Sequence, residues 1–201
     1  MPEFDIFSTP VLVVPDAVEV ALCGRLRQRL IVLSQQLPGV QRSNAGGGWH
    51  SDANLLQRPD MAGLGDFFAG QARVALDQLA RRVGHPTPHV AGLHIQAWAM
   101  VLPDRAWVTP HDHADAHLSG VLHLDDGDGS SGNLTLLDPR SCHLPWAPLD
   151  PTSFVLRPRV GQLVWFPSGL QHWVTPIEGA SRASIAVNVR FDLNPSPAPP
   201  Q

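Results

Sequence analysis

The stretch Trp107-Val108-Thr109-Pro110-His111-Asp112-His113-Ala114-Asp115 decides how the rest of the chain is read. Its opening residues are aromatic and β-branched, the composition of a short strand. On an extended chain, residues i and i+2 point to the same face. His111 and His113, with Asp115 next in the series, can therefore all face one cavity. Two imidazoles presented this way suit a borderline metal such as Fe(II), and a third ligand from elsewhere completes a facial set with open positions. The candidate is His172, set between a turn and a strand in Phe166-Pro167-Ser168-Gly169-Leu170-Gln171-His172-Trp173. Ten residues later comes Arg182-Ala183-Ser184, where Arg and Ser on one strand face form a compact fork for a carboxylate.

Working outward, short β runs punctuated by Gly, Pro, Asp and Ser fill the chain from about residue 90. Leu93–Leu102, Trp107–His111, Leu118–Leu124, Asn133–Leu137, Ser153–Leu156, Gln162–Phe166, His172–Val174 and Ala183–Phe191 are the expected strands. Ahead of them, an early strand is expected within Phe4–Val14. Asp16 with Glu19 resembles a capping box and starts a first helix, whose stripe is Val20, Leu22, Leu26, Leu30, Leu33 and Leu37 and which Pro38-Gly39 ends. A second helix opens at Pro59 and closes at Gly84 and Pro86, burying Leu64, Phe67, Phe68, Ala72, Ala75, Leu76 and Leu79. Residues 41–57 between them read as a Gly-rich polar segment, either a lid over a substrate or an ordinary connection. The expected fold is mainly β with helices (α+β): a jelly roll, or double-stranded β-helix, with two N-terminal-half helices packed on one face. One domain over 1–193 is expected, with a helical and Gly-rich part at 1–90, a jelly-roll core at 91–193 and a Pro-rich tail at 194–201.

Composition removes several function classes. The chain has 201 residues, is 43% hydrophobic and 16% charged, and has a mean hydropathy of −0.05, which fits a folded globular domain rather than a disordered chain. Net charge is 14 − 18 = −4, without the basic excess of a phosphate-tracking nucleic-acid binder. No apolar run reaches membrane-spanning length. The acidic start Met1-Pro2-Glu3-Phe4-Asp5 lacks the features of a signal peptide, so a cytoplasmic location is the default expectation. Cys23 and Cys142 are far apart and belong to no zinc pattern, so both are expected as reduced thiols. Gly46-Gly47-Gly48 is no phosphate loop, Asp125–Gly129 reads as a hairpin turn rather than a calcium loop, and no GxSxG elbow supports hydrolysis.

These features together resemble the non-haem iron, 2-oxoglutarate-dependent oxygenases, and in particular a bacterial and phage branch of them. The resemblance begins at Ser43-Asn44 and Gly48-Trp49-His50-Ser51. It runs through Trp98, His111-Asp112-His113, Leu118–Leu124, Gly132 and Asp138-Pro139-Arg140, and closes with Phe166–His172 and Arg182–Asn188. It implies that His111 and His172 bind Fe(II) and that Arg182 with Ser184 anchors the distal carboxylate of 2-oxoglutarate. The wider superfamily has Asp or Glu where this chain has His113. The centre is therefore three-histidine, as in related sequences of the branch, or Asp115 supplies the carboxylate through a shifted register. His123 stands where relatives usually carry a Tyr that bonds the co-substrate; it either takes that role or is a packed strand residue. Candidate pocket residues are Asn44, Trp49, Ser51, Trp107, Asn133 and Asn188, with structural packing or hydrogen bonding as the competing role for each.

The resemblance implies an O2-consuming dioxygenase that most simply hydroxylates an amino acid, peptide or small metabolite, releasing succinate and CO2. No nucleic-acid or membrane partner is expected, and a homodimer is the candidate assembly. One rival is a cupin-type dioxygenase or isomerase that needs no 2-oxo acid; its extra Glu ligand is missing, since the only Glu are Glu3, Glu19 and Glu178. A non-enzymatic jelly-roll binding module is the other.

Overall fold

The structure, a computed structural model, describes residues 8–61, 63–127, 129, 131–140 and 152–193. In chain order the strands and helices are β1 (Leu12–Val14), α1 (Val20–Gln36), β2 (Asn44–Ala45), β3 (Trp49–His50), α2 (Leu64–Arg82), β4 (Val90–Leu102) and β5 (Trp107–His111). They continue with β6 (Leu118–His123), β7 (Leu134–Leu137), β8 (Ser153–Leu156), β9 (Leu163–Pro167), β10 (His172–Val174) and β11 (Arg182–Leu193). Two antiparallel sheets result, one ordered β1-β9-β6-β11-β4-β3 and the other β2-β5-β10-β7-β8. This is the double-stranded β-helix that the strand pattern led us to expect.

Three apolar clusters hold the layers. The largest joins the outer face of the six-stranded sheet to both helices through Leu30, Leu33, Phe68, Ala72, Ile185 and Val187. Each large side chain buried there contributes roughly 1.5–3 kcal/mol. The other two lie between the sheets, around Trp98, Met100 and Val108 at one end and Leu134, Phe166 and Leu170 at the other. Because both faces of the six-stranded sheet are covered, the C-terminal half of β4 from Ala97 to Leu102 is buried without interruption. The period of two nevertheless sorts its neighbour β11. Ala183, Ile185, Val187 and Val189 join the helix-side core, which leaves Arg182, Ser184 and Asn188 on the face toward the second sheet. Among the described residues, no helix is long and apolar enough to cross a membrane.

Local signals were displaced in several places. The first helix begins at Val20, four residues after Asp16, because Asp16 sits in a turn at φ 52 and no side chain caps the helix. Its buried stripe runs Cys23, Leu26, Leu30, Leu33, while Val20 is exposed. Pro59 opens only a single 3-10 turn, and α2 starts after Gly63, whose φ of 88 breaks the path. β4 begins at Val90 rather than Leu93, paired along β11. The Gly-rich segment holds two short strands that belong to different sheets, Asn44–Ala45 on β5 and Trp49–His50 on β4. Gly46 makes the crossing between them: its φ is 64, and a Cβ there would lie 2.7 Å from the Arg105 carbonyl oxygen. The segment is thus a crossover stitched into both sheets. Cys142, the residues before Ser8 and the tail at 194–201 lie outside the described residues; Cys23 is a free buried thiol.

Candidate metal centre

The register of the second sheet sets His111 on β5 directly opposite His172 on β10. β5 ends at His111, and the chain then turns. The His113 N–H donates to the Ser168 carbonyl at 2.9 Å, and the Ala116 N–H to the His113 carbonyl at 3.1 Å. The turn carries the His113 ring to the other two and ends the i, i+2, i+4 series before Asp115. The result is a triad of His111, His113 and His172 in which one ring nitrogen from each lies within 4.8 Å of the other two. Ring centroids are 4.3 Å apart for His111 and His172, 4.9 Å for His111 and His113, and 5.1 Å for His113 and His172.

Two of the rings are oriented by their own backbone. Nδ1–H of His111 donates to the Thr109 carbonyl and Nδ1–H of His172 to the Leu170 carbonyl, each at 2.8 Å. That hydrogen bond places the lone pair on Nε2, the arrangement in which a histidine ligates a metal. Burial keeps the rings neutral. The His172 imidazole is pushed down to about 3, first by burial and then by His111. His113 is pushed down to about 4 by burial, with His111 and His50 adding to it, and burial lowers His111 as well. Three neutral imidazole nitrogens converging in a half-buried site fit a divalent metal, and they leave coordination positions for other ligands.

The facing sheet supplies the second half of the site. Ser184 on β11 pairs in register with His123 on β6, and Arg182 is two residues before Ser184 on the same face. The Arg182 side chain is 4% exposed, and its Nη1–H donates to the Ser131 carbonyl at 3.3 Å. Its Nη2 stands 3.5 Å from Nδ1 of His123. A guanidinium only donates, so that contact makes Nδ1 the acceptor and Nε2–H the donor of the neutral His123 ring. Burial pushes His123 down to about 3, with the Arg182 charge adding to it. Burial also lowers Arg182, to about 10, with the nearby Asp125 charge opposing the shift, which leaves it cationic at neutral pH. Among the described residues Arg182 has no carboxylate within ion-pairing distance, and both its Nε and the His123 Nε2 are buried without a hydrogen-bond partner. A buried cation with orphaned donors beside it is costly unless an anion arrives. Gly132 makes room for it: its φ is 61, and a Cβ there would collide with Nη1 of Arg182.

Beside the triad lies a small space of about 40 Å³, lined by the three histidines together with Trp98, Ser184 and Asn188 but not by Arg182 or His123. Asn188 also borders a larger open groove of about 740 Å³, which includes Asp115. The other pocket candidates lie elsewhere. Asn44 is buried and ties its own loop, donating from Nδ2 to the Gly48 carbonyl and accepting from the Arg42 N–H. Trp49 packs on the helix-side core and donates to the Leu37 carbonyl at 3.1 Å. The Ser51 hydroxyl receives the Ala99 N–H at 2.9 Å. Trp107 and Asn133 border neither space. One residue passed over in the sequence, His50, stacks on Trp98 at 5.7 Å, and Trp98 in turn packs on His113 at 5.2 Å. No local signal marked it, because a two-residue strand shows no alternation from which to assign an inward face.

The geometry agrees with the comparisons to known proteins. The family described as "Putative 2OG-Fe(II) oxygenase" matches residues 96–188, which include the triad, His123, Arg182 and Ser184. None of the curated proteins matches the chain. A prolyl-4-hydroxylase from Pseudomonas putida is similar in structure, with 19% identity, coverage of 91% of this chain and 93% of that one, and a TM-score of 0.63. A prolyl hydroxylase from Trichoplax adhaerens, in complex with a hypoxia inducible factor peptide fragment, has 14% identity, coverage of 90% and 83%, and a TM-score of 0.62. HygX from Streptomyces hygroscopicus, with nickel and 2-oxoglutarate bound, has 14% identity, coverage of 90% and 83%, and a TM-score of 0.56. At these identities the likeness is one of fold.

Proposed function

We propose that this chain, whose residues 96–188 match the family described as "Putative 2OG-Fe(II) oxygenase", is a 2-oxoglutarate-dependent dioxygenase that hydroxylates an amino acid, peptide or small metabolite. The observation that carries the co-substrate assignment is Arg182, a buried guanidinium without a carboxylate partner among the described residues, opposite three convergent imidazoles. In this reading His111, His113 and His172 hold Fe(II) through Nε2. Arg182 binds the distal carboxylate of the 2-oxo acid with two parallel donors, and Ser184 and His123 Nε2–H complete the cradle. Once bound, iron and 2-oxoglutarate supply the activation of O2: one oxygen atom ends in the substrate hydroxyl, the other in succinate, and CO2 leaves.

The protein's own contribution is placement. Arg182 and the triad belong to opposite sheets, so the diacid is fixed at both ends before the substrate arrives. Trp98, Phe166 and Val174 wall the site with apolar surface and keep water from the reacting atoms. The resemblance in fold to prolyl hydroxylases and the peptide held by one of them support a peptide or amino-acid substrate. A cupin-type centre would share the triad but would have no use for a buried unpaired Arg182.

Anaerobic titration of 2-oxoglutarate into the Fe(II) protein tests this reading. A metal-to-ligand charge-transfer band should grow to saturation at one 2-oxoglutarate per chain, and aerobic incubation should yield succinate. No band and no succinate would put the cupin-type reading ahead.

A further inference from the structure

The groove that meets the metal cavity at Asn188 is unlike the cavity itself. On β4 and β11 its lining includes His94 and Gln96, which pair in register with Arg190 and Asn188, together with the alternating Leu93 and Ile95. Its walls are Asn54 and Gln57 on one side and Asp115 on the turn that follows His113. Apart from the His94 ring, no aromatic side chain lines it. Two features stand out. Arg190 and Asp115, of opposite charge, both border the groove and have no ion-pair partner among the described residues. At the junction with the metal cavity, Asn188 is half committed: its Oδ1 accepts the Ser119 hydroxyl at 2.7 Å, so what it offers the groove is the donating NH2.

We propose that this groove is the substrate site and that it takes an amino-acid-derived zwitterion, a free amino acid or the end of a short peptide. This rests on the oxygenase reading above. Asn188 and Arg190 are i, i+2 on one strand face, so their donors stand side by side and address a single carboxylate. Asp115 faces the same space with the opposite charge and meets the ammonium group. A ligand anchored by its charged head along β11 can direct its remaining chain past Asn188 toward the triad. A wholly apolar substrate would strip water from Gln57, Gln96 and Asn188 without replacing those hydrogen bonds. The volume of about 740 Å³ exceeds what a free amino acid needs and accommodates a second residue.

The test has two arms on the full-length Fe(II)·2-oxoglutarate protein. The twenty free L-amino acids, and dipeptides with uncapped ends, are assayed for succinate formation above the substrate-free rate. Binding is followed separately, under argon, by the shift of the charge-transfer band. The best ligand is then compared with its carboxamide and its N-acetyl derivative in wild type, Arg190→Gln and Asp115→Asn. We expect amidation to weaken binding about tenfold or more in wild type but less than about twofold in Arg190→Gln. N-acetylation should show the same pattern against Asp115→Asn. Preference for free amino acids or for dipeptides identifies the source of the zwitterion. A doubly capped peptide, an aminoglycoside or an apolar compound that binds better than every zwitterion overturns the proposal, as do amide and N-acetyl forms that bind as well as their parents. If the 2-oxoglutarate band forms but no zwitterion shifts it or stimulates succinate, the groove assignment falls and the oxygenase reading stands. If the band itself is absent, both fall.

Discussion

Arg27 on α1 and Asp125 are ion-paired at 2.7 Å, and between them they grip the backbone on both sides of Arg182. The Arg27 Nη2–H donates to the Ser181 carbonyl at 3.2 Å, and the Asp125 carboxylate accepts the Ala183 N–H at 3.0 Å. The outer helix thereby reaches the strand residue that faces the opposite sheet.

This clamp predicts a positioning effect. Arg27→Gln or Asp125→Asn should weaken 2-oxoglutarate binding by roughly threefold to tenfold, the scale of one partly exposed ion pair and its hydrogen bonds. Iron affinity should change less than about twofold by the same reasoning, because no triad residue touches the pair. Titrating the charge-transfer band measures the first quantity and competition with a chromogenic chelator the second. Equal losses of both would mean general loosening instead.

Arg182→Lys preserves the positive charge but loses the planar fork. Binding of 2-oxoglutarate should fall by about tenfold to a hundredfold, one to two charge-assisted hydrogen bonds' worth. Bound iron per chain should remain at the wild-type value. Both are read from the same anaerobic titration.

Gly132→Ala attacks the same guanidinium from outside. The added methyl group would collide with Nη1 and occupy a residue at positive φ. Reduced co-substrate affinity with iron retained is the expected result, together with a lower Tm. Gly47→Ala is the control for backbone strain, since a Cβ there meets nothing within 4 Å and its φ is also positive, at 83.

Metal analysis of purified variants separates ligands from bystanders. His113→Ala and His172→Ala should lose tight iron binding. His117→Ala should keep it, since that ring accepts the Phe191 N–H and stacks on Phe191. Asp115→Ala should also keep it, because Asp115 lies outside the triad. Iron lost from Asp115→Ala but held by His113→Ala would reverse the assignment of the third ligand.

Acid should destabilise the metal-free protein through His123. Its pKa falls from 6.5 to about 3 on folding, so the unfolded chain binds more protons between these values and stability drops as pH falls through that window. Above pH 6.5 the ring is neutral in both states and contributes no slope. One such group adds up to about 1.4 kcal/mol per pH unit. In His123→Gln the decline of urea midpoint from pH 6.5 to 4 should be shallower than in wild type. An unchanged slope would mean that His123 is protonated in the fold.

The sheets were legible because their strands are long or sharply bounded: each of the eight expected strands after residue 90 has its counterpart, β4 and β11 extending further than the pattern suggested. What pairs with a neighbour could not be seen locally. β2 and β3 are two residues each and exist only because β5 and β4 offer edges to them. The start of α1 was misplaced because Asp16 near Glu19 imitates a cap, whereas the Val18 N–H is taken by the Gly161 carbonyl, a contact remote in sequence. The convergence of His111, His113 and His172 followed from spacing and resemblance. Trp49 and His50 did not, because a two-residue strand gives no alternation from which to assign its inward face.

The two anchors proposed for the diacid stand on opposite layers, the histidines with the five-stranded sheet and Arg182 with the six-stranded one. A filled site is therefore a strut across the sandwich. Iron alone braces one layer and the turn beside it, and the 2-oxo acid alone rests on the other. Together they would tie the layers near Asn188, which among the described residues belongs to neither inter-sheet apolar cluster. In that reading the order of loading would have a mechanical meaning: metal and co-substrate together would brace the layers before substrate enters the groove.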